Sequence, residues 1–259
     1  MKKHRFWSAA LAMALTAMLP LTALAKQWND VDSWEKLSDA FEDTDADVTI
    51  VLTGNIQFAD SLTAKEGQTY VINGREYTLT DVEFYGKGAV EINADVDNKD
   101  NGTALDVTDA KVTVNGNVTS DHDALDAYGE ADVTVNGNAT GDRDGVYAAG
   151  EANVTVNGDV DAGRKGVYGK DESKITVNGN VDAGDTGVDA RDDASVKVDG
   201  NVTGKDYEAD PSATFGDGSV GVEASENATV EGPAMSKAAT SPVKLSSAAK
   251  AFMPLMSPK

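Results

Sequence analysis

A seven-residue motif, called here the phrase, recurs five times in this sequence at a step of 21 residues. Its commonest form is Val-Thr-Val-Asn-Gly-Asn-Val, and the copies occupy residues 112–118, 133–139, 154–160, 175–181 and 196–202. A fixed period between about 20 and 50 residues is typical of a solenoid or repeat array. Each copy alternates β-branched residues, turns at Gly and has no helical spacing, so the sequence predicts a solenoid built from strands.

Degenerate copies of the phrase extend the repeat towards the N terminus. We predict a strand over residues 48–56 and shorter copies over 70–74 and 90–94. The steps between them are 20, 20 and 22 residues if one apolar column contains Leu52, Ile72, Ile92 and Val114. Irregular terminal repeats are expected, because they must cover an open end of the core.

A short amphipathic helix is predicted just before the first coil. Asp32 and Ser33 offer N-cap chemistry, and the apolar residues that follow at helical spacing are Trp34, Leu37, Ala40 and Phe41. We therefore interpret the region 26–47 as an N-terminal cap over the solenoid.

Each regular repeat carries a second short segment in register with the phrase. These segments lie at 124–127, 145–148, 166–169 and 187–190, and 104–107 matches them with a slip of one residue. The 21-residue spacing is interrupted after Gly204: residues 221–224 match residues 187–190 at a step of 34 residues. The sequence thus predicts a β-helix over 48–232 with an inserted loop at 205–219. The change of composition after Pro233 predicts a flexible basic tail over 233–259.

The N terminus has the three parts of a secretory signal peptide. Lys2, Lys3 and Arg5 precede an apolar run over 6–19, and small residues at 23 and 25 form a cleavage site after Ala25. The run is short for a membrane span, although an uncleaved anchor is the alternative. We predict that residues 1–25 are removed and that the mature chain is secreted or at the cell surface, without membrane insertion.

The charge and the lack of cysteine exclude several classes of protein. The chain has 44 acidic and 22 basic residues, with a net charge of −22, and the predicted leader contains only basic ones. So acidic a surface argues against nucleic acid and anionic membranes as partners. With no cysteine, there is no disulfide scaffold. A solenoid needs none, because each coil is buried by its neighbours.

The order of these segments resembles that of a known class of proteins. A capping helix comes first, followed by the strand Thr-Ile-Val-Leu-Thr-Gly-Asn-Ile, the short copy Ile-Asn-Gly and then the coils with Val-Thr-Val-Asn-Gly. They resemble secreted right-handed parallel β-helix proteins of the pectin-lyase-like class, among which adhesin-like bacterial surface proteins are common. The resemblance covers roughly 31–230. It implies an all-β, single-stranded, right-handed parallel β-helix (β-solenoid) of about nine coils of about 21 residues. It does not select an activity, because the class contains lyases, hydrolases, carbohydrate binders and structural rods.

One polar column is interpreted as structural. It consists of Asn115, Asn136, Asn157, Asn178 and Asp199. Stacked asparagine side chains can hydrogen-bond one another along the axis, and asparagine tolerates the left-handed conformation that a tight turn demands. Gly116 and its equivalents fit the same explanation.

The corner between the two strand segments carries the candidate binding residues. Carboxylates from adjacent coils could bind Ca²⁺, the one cofactor that the sequence suggests, and the candidates are Asp121, Asp123, Asp142 and Asp144. Arginines could neutralise an acidic sugar and tyrosines could hold a sugar ring, and these candidates are Arg143, Arg164, Tyr147 and Tyr168. The structural alternative is a solvated corner where opposite charges pair weakly, at about 0 to 1 kcal/mol each, with tyrosines that only fill space.

The function predicted from these patterns is that of a secreted, non-enzymatic surface or extracellular protein, adhesin-like or carbohydrate-binding. Its expected partner is a polysaccharide or a host or cell-surface protein. No catalytic residue is assigned, because the Asp and Arg residues follow the repeat, whereas active sites interrupt one. A calcium-dependent polysaccharide lyase or related carbohydrate-active enzyme is the main alternative, and a purely structural spacer is the second.

Overall fold

The computed structural model describes residues 25–43, 46–100, 102–204, 221–225 and 227–232, with the backbone of two short strands further on. The predicted signal peptide (except Ala25), the predicted loop at 205–219 and most of the tail at 233–259 lie outside the described residues.

The described residues form an all-β parallel β-solenoid of about eight turns, with one short helix and a spacing of about 21 residues between turns. This confirms the predicted fold class, with about one coil fewer than the nine expected. The strands stack into a 17-stranded sheet, called sheet A, and a 9-stranded sheet, called sheet B. Neighbouring coils pair in parallel in both sheets.

Sheet A holds the phrase strands and the short strand that follows each of them. Its members are β1 (Lys26–Val31), β2 (Val48–Leu52), β3 (Ile56–Gln57), β5 (Thr69–Thr80), β7 (Ala89–Asn98), β9 (Lys111–Val114), β10 (Val118–Ser120), β12 (Asp132–Val135), β13 (Ala139–Gly141), β15 (Asn153–Val156), β16 (Val160–Ala162), β18 (Lys174–Val177), β19 (Val181–Ala183), β21 (Ser195–Val198), β22 (Val202–Gly204), β24 (Thr229–Glu231) and β26 (Lys250–Phe252).

Sheet B holds the second segment of each repeat. Its members are β4 (Leu62–Ala64), β6 (Val82–Gly86), β8 (Leu105–Thr108), β11 (Leu125–Tyr128), β14 (Asp144–Ala148), β17 (Lys165–Gly169), β20 (Thr186–Ala190), β23 (Val222–Ala224) and β25 (Lys244–Leu245). β25 and β26 fall within the predicted tail and add one strand to each sheet.

The core is a narrow stack of small and branched apolar side chains. Val112 and Val114 are fully buried, whereas Thr113 between them points outward, as the alternation predicts. The same two-residue period repeats in each coil, so every coil buries its apolar face against its neighbours. This stacking is why a chain without disulfides can close its core.

The predicted cap is confirmed. Helix α1 (Trp34–Glu42) begins at the N-cap Ser33, whose side chain accepts a hydrogen bond from the backbone N–H of Lys36 at 3.5 Å. The helix buries its apolar face against the first coils, and Phe41 stacks on Tyr70 with ring centroids 4.1 Å apart. Strand β1 lies before this helix and pairs in parallel with β2, a strand that was not predicted.

The pairing of the strands agrees with the predicted columns in every coil except the first. Val222 pairs with Val188 across the step of 34 residues, as predicted. In the first coil, however, Ile50 and not Leu52 pairs with Ile72. The prediction for Leu52 was wrong because residues two apart on a strand face the same side, so the apolar pattern fits both registers.

The predicted explanation of the Asn-Gly turns was also wrong. The residues with positive φ do not include Asn136 or Gly137, or the equivalent pairs in other coils. Glycine is required there because the preceding coil passes too close: a Cβ on Gly137 would lie 2.4 Å from the carbonyl oxygen of Gly116. Left-handed backbone occurs instead at the turn before each phrase strand, at Asp109, Gly129, Gly150, Asp171 and Asp192.

The predicted asparagine ladder is present and is longer than expected. Each side-chain amide donates to the Oδ1 of the preceding rung at 2.5 to 3.0 Å, through Asn73, Asn93, Asn115, Asn136, Asn157 and Asn178. Asp199 ends the ladder because a carboxylate has no N–H to donate. Its carboxylate accepts from Lys197 Nζ at 2.8 Å instead.

We expect Asn157→Ala to lower the free energy of unfolding by about 1 kcal/mol, because it removes a bond on each side of the rung from a partly solvated ladder. The converse variant, Asp199→Asn, can donate to Asn178 and is expected to raise stability by up to about 1 kcal/mol. Urea unfolding of both variants measures these effects. An Asn157→Ala protein as stable as the parent would show that the ladder contributes nothing.

Candidate functional site

The candidate site is a cavity of about 270 Å³ on the outer face of sheet B, called here the sheet-B cavity. Its lining consists of Asp123, Asp126, Tyr128, Arg143, Asp144, Tyr147, Arg164 and Tyr168. All four ligand-binding residues predicted from the sequence lie in it. Asp126 and Tyr128 were missed, although Asp126 belongs to the same register column as Tyr147.

The stacking of three strands places these side chains. Asp126 on β11 pairs with Tyr147 on β14, which pairs with Tyr168 on β17. The neighbouring Val146 and Val167 point into the core and are fully buried, so alternation turns the polar and aromatic column outward. One column of the repeat therefore becomes a continuous surface row.

Three half-buried tyrosines pack along this surface, and we call Tyr128, Tyr147 and Tyr168 the tyrosine row. Tyr128 and Tyr147 pack edge to face, and Tyr147 and Tyr168 are tilted at 53°. The ring centroids are 5.5 Å apart for Tyr128 and Tyr147, and 5.1 Å apart for Tyr147 and Tyr168. Lys165 Nζ lies 3.8 Å from the ring centroid of Tyr168, an intramolecular cation–π contact. Tyr147 is the central ring and faces the cavity between the other two.

Two arginines are held rigidly by buried aspartates of the preceding coil. Arg143 donates through Nε and Nη2 to Asp123, with Nε 2.8 Å from Oδ1, and Arg164 binds Asp144 in the same way. The aspartate side chains are 4% exposed, whereas those of the arginines are 45% and 46% exposed. The hydrogen bond to Asp144 raises the pKa of Arg164.

In these pairs the carboxylates are buried, whereas the structural alternative placed the charges on a solvated corner. Each buried carboxylate also accepts a backbone N–H from the next coil: Asp123 from Asp144 at 3.0 Å, and Asp144 from Lys165 at 3.2 Å. A buried carboxylate with a bidentate arginine and a backbone donor is a preorganised unit. The guanidinium faces are thereby fixed against the cavity.

The structure separates the four predicted calcium ligands into two kinds. Asp123 and Asp144 are buried and bound by arginine, whereas Asp121 and Asp142 are exposed. Among the residues that the structure describes, no group of three or more His, Cys, Asp or Glu side chains could hold a metal ion. Calcium binding at this corner stays a prediction.

Asp126 is the unusual carboxyl of the cavity. Its Oδ2 accepts from the hydroxyls of Thr103 at 3.2 Å and Tyr128 at 3.4 Å, whereas its buried Oδ1 has no hydrogen-bond partner within the described part of the chain. Burial, followed by the charges of Asp123 and Asp106, raises the pKa of Asp126 to about 7. Burial likewise raises the pKa of Asp106, one coil earlier, to about 6.

The raised pKa of Asp126 predicts a stability that falls with pH. The pKa rises from 3.8 to about 7 on folding, so between these values the folded state holds a proton that the unfolded chain has lost. Stability is therefore full below this window and declines as the pH rises through it. At about pH 8, Asp126→Asn is expected to raise the free energy of unfolding by about 1 to 3 kcal/mol, less than the full linkage because its buried amide lacks a partner.

Urea unfolding at about pH 5 and about pH 8 checks this expectation. The parent should lose more stability between the two values than Asp126→Asn does. Equal losses in both proteins would mean that Asp126 does not titrate in this window.

Another cavity, of about 330 Å³, lies on sheet A and has a different lining. Its lining includes Asp159, Asp161 and Asp182 with asparagines and valines, and no aromatic or basic side chain within the described residues. It offers neither stacking surfaces nor cationic donors. The sheet-B cavity is therefore the better candidate site.

Comparison with protein-family models, with curated proteins and with solved structures finds no match for this chain. In the described part of the chain, no helix has the length and apolar character that crossing a membrane requires.

Proposed function

We propose that this protein is a secreted, non-enzymatic, adhesin-like glycan-binding protein that holds its ligand in the sheet-B cavity. The observation that carries the proposal is the tyrosine row beside two arginines that are fixed by buried carboxylates. The predicted signal peptide supports export, and the acidic chain favours a polysaccharide or cell-surface partner over nucleic acid.

The chemistry of the cavity suits a sugar. A tyrosine offers an apolar ring, which can contact the C–H face of a pyranose, together with a hydroxyl group. Each arginine has five N–H donors. Arg143 and Arg164 use Nε and Nη2 for aspartate, and their Nη1 groups bond to no residue that the structure describes. Since the side chains are already ordered, little entropy is lost when a ligand binds.

The second candidate function is that of a carbohydrate-active enzyme, such as a calcium-dependent polysaccharide lyase. The observation that favours it is the carboxyl of Asp126, whose raised pKa near 7 would suit a general acid beside a bound sugar. Against it, Asp123 and Asp144 are used in pairing with arginine and follow the repeat. An assay for cleaved sugar distinguishes the two functions.

We expect Tyr147→Ala to weaken retention on a bound polysaccharide about fivefold to tenfold, because the central ring of the row is lost. Co-sedimentation of the purified protein with a panel of acidic and neutral polysaccharides measures the retention. Thr155→Ala on the outer face of sheet A is the matched control and should retain the parent affinity.

Thermal unfolding of both variants establishes that they are folded. Equal retention by Tyr147→Ala and the parent would overturn the assignment of the site. The absence of retention on every polymer would leave the protein as a spacer or a binder of other proteins.

A further inference from the structure

Asp126 lies at the junction between an acidic row and the tyrosine row. In the outward column of sheet B, Glu83 pairs with Asp106, which pairs with Asp126, which pairs with Tyr147. Asp126 is therefore the last carboxyl of the acidic row and a wall of the cavity.

The charged and titratable groups around Asp126 come from every neighbouring element. Asp106 faces it from β8, Asp123 from the turn before β11, Tyr128 from its own strand and Tyr147 from β14. Arg143 and Arg164 complete the cavity. Because each arginine is neutralised by its own buried aspartate, the ionisation of Asp126 decides whether the cavity is neutral or negative.

We propose that Asp126 determines the charge specificity of the sheet-B cavity: an anionic sugar group binds beside Arg143 when Asp126 carries a proton, and is repelled when Asp126 is ionised. This inference rests on the proposed glycan binding. A neutral sugar experiences no such repulsion and binds in both states.

The direction of the effect follows from linkage. The pKa of Asp126 near 7 makes the neutral form dominant in mildly acidic solution and the charged form dominant in mildly basic solution. A like charge disfavours ionisation, so a bound anion raises the pKa of Asp126 further. By reciprocity, the proton strengthens anion binding by the same factor, and a rise of one pKa unit corresponds to tenfold.

The test uses matched polymers that differ in charge: dextran sulfate with dextran, and polygalacturonate with its methyl ester. Retention is measured at about pH 5.5 and about pH 8.5, on either side of the Asp126 titration. We expect the anionic polymer of a retained pair to bind about tenfold more strongly at the lower pH. Its neutral counterpart should change less than about twofold over the same range.

The variant Asp126→Asn should lose most of this pH dependence, so that it retains the anionic polymer in base nearly as well as the parent does in acid. Asp106, whose pKa is raised to about 6 but which does not line the cavity, accounts for any small remainder. His122→Gln is the control, because His122 Nδ1 lies 3.2 Å from Asp123, which lines the cavity. It should keep the pH dependence of the parent. Thermal unfolding shows whether each variant is folded.

The outcomes separate this inference from the proposed function. Retention of an anionic polymer with the same affinity at both pH values, or a pH effect that survives undiminished in Asp126→Asn, overturns the role of Asp126 and leaves glycan binding intact. Failure to retain any of the four polymers at either pH overturns both.

Discussion

Arg143→Ala is expected to lower the free energy of unfolding by about 3 kcal/mol, one of the two largest effects that we predict for a single substitution. The variant leaves Asp123 with a side chain that is 4% exposed and without its bidentate partner. A buried carboxylate that loses its counter-charge keeps its full desolvation cost. The figure is at the low end of the range for buried pairs because Arg143 is 45% exposed.

Urea unfolding at neutral pH measures the effect, and an exposed pair provides the control. Lys87 and Glu130 pair at 3.0 Å with side chains 55% and 64% exposed, so Lys87→Ala should cost less than about 1 kcal/mol. Adding Asp123→Asn to Arg143→Ala removes the buried charge and should restore part of the loss. If Arg143→Ala and Lys87→Ala lower the free energy of unfolding equally, the buried ion pair contributes no more to stability than the exposed one.

Gly158→Ala is expected to cost about 3 kcal/mol or more, or to prevent folding. A Cβ at this position would lie 2.2 Å from Asn138 Oδ1 and 2.5 Å from the carbonyl oxygen of Gly137. The backbone contact cannot be relieved by a rotamer change, and a shift of the coil would disturb the ladder on both sides. The expected loss of stability comes from the close stacking of the coils. It does not depend on a left-handed backbone at Gly158.

The control for this steric effect is Gly54→Ala, whose Cβ would meet its nearest neighbours in Asp32 at an ordinary 3.6 Å. That variant should unfold within about 1 kcal/mol of the parent. Thermal and urea unfolding of the two proteins provide the comparison. A Gly158→Ala protein as stable as Gly54→Ala would mean that the coils can separate without cost.

The repeat period predicts spatial neighbours directly, which is why part of the site could be found from the sequence. When parallel coils stack in register, residues 21 apart become adjacent on the surface. Tyr147 and Tyr168 are therefore paired in the sheet, and Arg143 and Arg164 form equivalent contacts one coil apart. The asparagine ladder was predictable for the same reason.

The parts of the site that the sequence did not predict depend on features that the repeat does not determine. Asp126 occupies the tyrosine column with a different residue type, so a search for like residues passes over it. The burial of Asp123 depends on the path of the corner, where strand alternation no longer determines which side a residue faces. The prediction for the Asn-Gly turns was wrong because a turn sequence does not distinguish a left-handed backbone from a close approach by the preceding coil.

Co-sedimentation with acidic and neutral polysaccharides shows whether the outer face of sheet B binds a glycan without cleaving it. The experiment is run with calcium and with a chelator, and the supernatant is assayed for released sugar. We predict retention of the parent, loss of about fivefold to tenfold in Tyr147→Ala, and no released sugar. Released sugar, or retention that Tyr147→Ala leaves unchanged, would contradict this account.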